Sequence, residues 1–217
     1  MPPVGQLSFF SAEARQPCVG DLAGVLCGPG QVLGFARGRA ARVSVGLEER
    51  WRAPALVAAF AERGVQAEAR SVEAPPPEDG AEDAEGDAAG NAGPVRTWEV
   101  RTAFRADLRG LAARWLRGAE KAVPEGFTPH GGVLRMWALA SGRWVESGYL
   151  LGLDPLAPAT HEPLRTALAA AGLPAALLTP RAGPPALRVV GRRRLERLAE
   201  LVGRAPRGVA ERTWPAA

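Results

Sequence analysis

The chain has 217 residues, 47% of them hydrophobic, with two cysteines and a formal net charge of +4. That length allows one substantial domain or two small halves sharing a core, and two cysteines make neither a disulfide framework nor a zinc site. No apolar run approaches the ~20 residues of a membrane span, and residues 1–10 lack the basic-then-apolar order of a signal peptide, so a cytoplasmic protein away from membranes is expected.

In chain order, residues 1–18 read as an N-terminal tail. Residues 19–28 predict a short apolar helix rich in small residues. Gln31–Phe35 and Arg42–Gly46 read as strands around Ala36-Arg37-Gly38-Arg39. Residues 51–63 have helical spacing and stop at Gly64. Val65–Val72 and Val95–Arg101 alternate as strands. Between them, residues 74–94 carry no aromatic or branched aliphatic side chain, so they are expected to be a disordered insertion at the tip of a hairpin. Residues 104–119 predict an amphipathic helix with Leu108, Leu111, Trp115 and Leu116 on one side.

The same order then returns. Residues 131–140 predict a helix ending at Ser141-Gly142. Arg143–Val145 and Tyr149–Leu153 read as strands, and residues 160–171 as a helix with Thr160 as its cap. Ala176–Thr179 and Leu187–Val190 form a hairpin across Pro180–Gly183, and residues 192–202 a helix ended by Gly203. The reading is α+β: αββαββα over residues 19–121 and again over residues 131–217.

Charge is uneven. Seven acids lie between Glu73 and Asp87, which leaves 16 acids against 27 bases elsewhere, or +11. A basic body with an acidic loop suits a polyanion partner. Lys121 is the only lysine, so part of the arginine content reflects base composition.

Leu22-Ala23-Gly24-Val25-Leu26-Cys27-Gly28-Pro29-Gly30 resembles the LAGLIDADG signature. Leu22, Ala23, Gly24 and Gly30 match it, and Cys27 and Pro29 stand at its two acids. The tandem αββαββα order is similar to the same family, and the second half, from Leu134-Arg135 to Val202-Gly203, resembles the N-terminal domain of WhiA regulators. The resemblance implies two signature helices packed on a pseudo-twofold axis within one monomer, with small residues (Gly24, Gly28, Ala138, Ala140) at their contact. It also implies DNA gripped by the outer faces of curved sheets. The expected DNA contacts are Arg37, Arg39, Arg42, Arg101, Arg143, Arg181 and Arg188. Here the residues at the catalytic acid positions are Pro29 and Ser141, and a proline offers no oxygen to a hard cation. Asp21 reads as a helix cap and Asp154 as a strand-end residue away from the helix axis. The expectation is therefore a protein that is not an enzyme and needs no metal or cofactor.

Gln6-Leu7-Ser8-Phe9-Phe10 resembles the bacterial sliding-clamp-binding peptide. Gln6 would supply hydrogen bonds, and Leu7, Phe9 and Phe10 would fill an apolar groove. The same residues also read as a short strand or staple over the core. The expected function is non-catalytic binding of DNA at the nucleoid, with recruitment by the clamp in replication or repair. The alternative is a protein-interaction adaptor or a WhiA-like regulator that does not cut DNA.

Overall fold

A computed structural model describes residues 11–73, 96–146, 148–179 and 183–215. The insertion 74–94, the peptide Gln6–Phe10 and Arg181 lie outside them.

A 3-10 turn, Val19–Leu22, runs into the helix α1 (Ala23–Cys27). Strands β1 (Gln31–Phe35) and β2 (Ala40–Leu47), helix α2 (Arg52–Glu62), strands β3 (Ala67–Glu73) and β4 (Arg96–Thr102) and helix α3 (Arg109–Trp115) follow. A two-stranded hairpin, β5 (Leu116–Arg117) with β6 (Glu120–Lys121), leads to helix α4 (Gly131–Ser141). Then come β7 (Gly142–Val145), β8 (Gly148–Gly152), α5 (His161–Ala170), β9 (Ala176–Leu178), β10 (Ala186–Val189) and α6 (Arg192–Val202). The order αββαββα occurs twice.

The two large sheets share one antiparallel topology, β1-β2-β4-β3 and β7-β8-β10-β9. Their registers also correspond. Gln31 faces Ser44, which faces Arg101. Arg143 faces Leu150, which faces Arg188. Arg101 and Arg188 therefore occupy equivalent places in the two sheets. The inner faces carry Val43, Val45 and Val100 in one sheet and Tyr149, Leu151, Leu187 and Val189 in the other, all in the shared core. Alternation along each strand sends the intervening residues to the outer faces.

Helices α1 and α4 cross at the middle of that core. A Cβ on Gly24 would lie 2.0 Å from the Val133 carbonyl oxygen and 2.7 Å from the Trp137 nitrogen, so only glycine allows this approach of the two backbones. Gly28 meets Ser141 at the far end of the same contact, and Ala138 and Ala140 are buried in α4.

Two local expectations need correction. Residues 104–119 do not form one helix. Arg105 pairs with Ala41 in a β-bridge, and Leu116 is already extended, at φ −115° and ψ 139°. The helix ends at Trp115, and Gly118, at φ +65°, then turns the chain back to deliver Lys121 to the core. Thr160 does not cap α5. It ends a 3-10 turn, Pro158–Thr160, that continues into the helix, and its hydroxyl donates to the Ala157 carbonyl. Asp21 does serve the cap of its turn: from three residues beyond Cys18 its carboxylate accepts from the Cys18 amide in a capping box, and it also accepts from Arg63 Nε at 3.0 Å.

Candidate nucleic-acid interface

Signature helices α1 and α4 end side by side, and their last carbonyls have no intrahelical donors. Each end receives a buried cation from elsewhere in the chain. Lys121 Nζ donates to the carbonyls of Gly28 (2.8 Å) and Gly30 (2.7 Å) and to Asp154 Oδ2 (2.9 Å). Arg52 donates to the carbonyls of Leu139 (2.9 Å) and Gly142 (2.6 Å) and to Glu49 (3.1 Å). Positive charge at a helix C-terminus also opposes the negative end of its dipole. Burial holds the Lys121 ammonium below its usual range, while the Asp154 carboxylate pulls the other way. Burial raises the neighbouring Cys27 thiol.

Asp154 is therefore not remote from the helix axis, as its sequence position suggests. It stands one ammonium away from the end of α1, and Gln31 Nε2 donates to it at 2.6 Å from the other repeat. A cavity of about 180 Å³ opens at the two helix ends, lined by Pro29, Ser141, Glu49, Arg52, Arg143 and Pro185 among others. Among the described residues, no three His, Cys, Asp or Glu side chains group closely enough to hold a metal ion.

On the outer face of the first sheet lie half-buried Arg42, Ser44 and Arg101 and exposed Arg70. Glu68 and Glu99 share that face, and Glu68 pairs with Arg70 at 2.9 Å. Arg37 and Arg39 are exposed at the β1–β2 turn, where Arg39 Nε donates to the Ala36 carbonyl. On the second sheet, half-buried Arg143 and Arg188 flank buried Leu150 in register, on the face opposite the core residues Tyr149 and Leu151. The structure thus brings six of the seven expected arginines to the two outer faces and their rims. The sequence reading missed Arg70, whose strand alternation was read without its far edge. It also missed Gln31, because no local signal announces a partner 123 positions away.

No protein-family model matches the chain, and no curated protein matches it. Among solved structures, it is similar to the homing endonuclease I-WcaI bound to its DNA recognition sequence. The TM-score is 0.57 with 14% identity, over 91% of this chain and 82% of that one. The chain has the LAGLIDADG homing-endonuclease fold. A second similar structure is I-DmoI in complex with DNA and Mn, with a TM-score of 0.44 and 15% identity over 85% of this chain and 96% of that one.

The LAGLIDADG comparison overturns the expectation that the chain is not an enzyme, because the neighbour that shares its fold is an endonuclease. That expectation rested on two side chains, Pro29 and Ser141. It treated the helix ends as lacking carboxylates, whereas the tertiary fold carries Asp154 and Glu49 to them. No helix among the described residues is long and apolar enough to cross a membrane.

Proposed function

We propose that the protein binds double-stranded DNA along the outer faces of its two sheets, with the paired helix ends at the centre of the site. The observation that carries this reading is the equivalent placement of Arg101 and Arg188, with Arg42 and Arg143 beside them, on two faces related by an internal pseudo-twofold. Repeated cations at matched positions suit a duplex, whose phosphates recur on both sides of any centre. One chain supplies both halves, so a monomer is the binding unit.

The test is the salt dependence of duplex binding. Replacing Arg42, Arg101 and Arg188 with Ala removes about one unit of log–log salt slope per lost phosphate contact. An unchanged slope overturns the proposal and favours a protein-interaction adaptor. Recruitment to a sliding clamp through Gln6, Leu7, Phe9 and Phe10 is a further part of the reading and is carried by sequence alone. A peptide of residues 1–15 binds purified clamp if it holds, and loses that binding when both phenylalanines become Ala.

Strand cleavage is a second reading, favoured by Asp154 and Glu49 at the helix ends. Nicking of supercoiled plasmid in magnesium that is lost in Glu49→Gln supports it. No nicking by the unmodified protein rejects it.

A further inference from the structure

Strand β1 is built the wrong way round for a core strand. Its inward positions are Val32 and Gly34, while its two largest apolar residues point outward. Leu33 is 51% exposed and Phe35 57%, and Phe104, just beyond β4, is 39% exposed. Phe35 and Phe104 stack with ring centroids 4.8 Å apart, and the Arg42 guanidinium sits 4.9 Å above the Phe104 ring. Burying such side chains is worth roughly 1.5–3 kcal/mol each, so leaving them in water is a cost that an interface would recover. The patch lies on the same face as Arg42, Ser44 and Arg101 and is continuous with the arginines assigned above to DNA.

We infer that Leu33, Phe35 and Phe104 form an apolar subsite that reads thymine methyl groups in the major groove. This rests on the DNA-binding reading and adds base selectivity to it. The C5-methyl group of thymine is the one apolar group that the four base pairs offer along that groove. Phe104 already stacks on Phe35 and carries Arg42, so its ring is engaged within the patch. Arg42, beside the patch, suits an adjacent phosphate.

Position follows from strand geometry. Gln31 reaches Asp154 across the centre of the molecule. Phe35, four residues on, lies ~13 Å farther out at ~3.3 Å per residue. At ~3.4 Å per base pair that is about four pairs from the centre of the bound site. Among the described residues, the second sheet carries no exposed aromatic ring. Gln31 corresponds in register to Arg143, so Leu33 corresponds to Val145, where β7 ends. The preference for thymine therefore falls in one half of the target only.

The test uses the full chain and four duplexes of about 30 base pairs: alternating A·T, alternating A·U, alternating I·C and its 5-methylcytosine form. Each contacted methyl group raises affinity about four-fold, so A·T binds tighter than A·U, and methylated I·C tighter than I·C. The second pair separates the methyl group from the groove shape of A·T sequences. The double variant Phe35→Ser/Phe104→Ser binds both members of each pair equally, and Leu33→Gln lowers the ratio. Arg188→Ala weakens all four duplexes together and leaves the ratios in place. Thermal melts confirm that the exposed-site variants stay folded. A ratio of one in the unmodified protein, ratios that survive the double variant, or tighter binding of single strands than of duplex overturns the subsite. Failure to bind any of the four duplexes instead overturns the DNA-binding reading itself.

Discussion

Ala36 and Arg37 hold φ angles of +52° and +57° at the β1–β2 turn, in the left-handed region that side chains with a Cβ adopt at a cost. Such strain is tolerated where a turn must present a side chain, and Arg37 is the exposed tip here. Ala36→Gly relieves it and raises stability by about 0.5–1 kcal/mol, read as a shifted urea midpoint with unchanged slope. His130 carries a different kind of strain. Its Nδ1 is buried with no hydrogen-bond partner, and burial holds the imidazolium below the ordinary histidine range of 6.5. Asp21, 3.8 Å away, pulls against this, but that carboxylate is already paired with Arg63 at 3.0 Å, and Arg15 and Arg63 repel a second charge. Below pH about 6.5 the unfolded chain takes up a proton that the folded chain refuses, so acidification favours unfolding. Stability is expected to fall from that pH down to the lower folded value, and His130→Gln should flatten the loss in that window. An unchanged pH profile in the variant would show that other groups carry it.

Among the elements, α1 is the least forgiving, because its contact with α4 is made backbone to backbone. Gly24→Ala places a methyl group 2.0 Å from the Val133 oxygen, which no side-chain rotation can relieve. The expected loss is at least the 1–3 kcal/mol of an overpacked core, visible as a large fall in Tm. Gly46→Ala is the control. Gly46 sits on the outer face of β2 with nothing within 4 Å of the added methyl group, so stability should hardly change. Helix α3 shows how an element's length escapes a periodicity argument. Leu108, Leu111 and Trp115 repeat at helical spacing and are all buried. The same spacing runs on to Leu116, yet the chain is extended there, because Lys121 has to reach the end of α1.

At the scale of the molecule, Lys121 ties three separate segments together: the end of α1, the β5–β6 hairpin that carries it, and Asp154 after β8. Removing the ammonium leaves Asp154 as a buried, uncompensated charge and strips the Gly28 and Gly30 carbonyls of their donor. Lys121→Met is expected to cost about 3–5 kcal/mol, measured by urea unfolding. Adding Asp154→Asn should recover part of that loss, because the neutral amide no longer needs the cation. A single variant that costs less than about 1 kcal/mol, or a double variant no more stable than the single one, would show that the ion pair contributes little.

The amino-acid pattern alone determined the order and type of nearly every element. Strand alternation, helical spacing and the glycines at positions 64, 172 and 203 act within a few residues, and a local signal survives without its tertiary context. The positive φ angles of those glycines, between +70° and +82°, are the physical form of that signal. The doubled αββαββα order and the outward turn of Arg42 and Arg101 were legible for the same reason. The contents of the centre were not. Asp154, Arg52 and Lys121 reach the helix ends across sequence separations of 33 to 93 residues, and no local spacing encodes such contacts. The apolar subsite escaped as well. Leu33 and Phe35 read as ordinary strand residues until the pairing of β1 with β2 shows which face is covered. Periodicity tells which residues share a face, and only packing decides whether that face meets the core or the solvent.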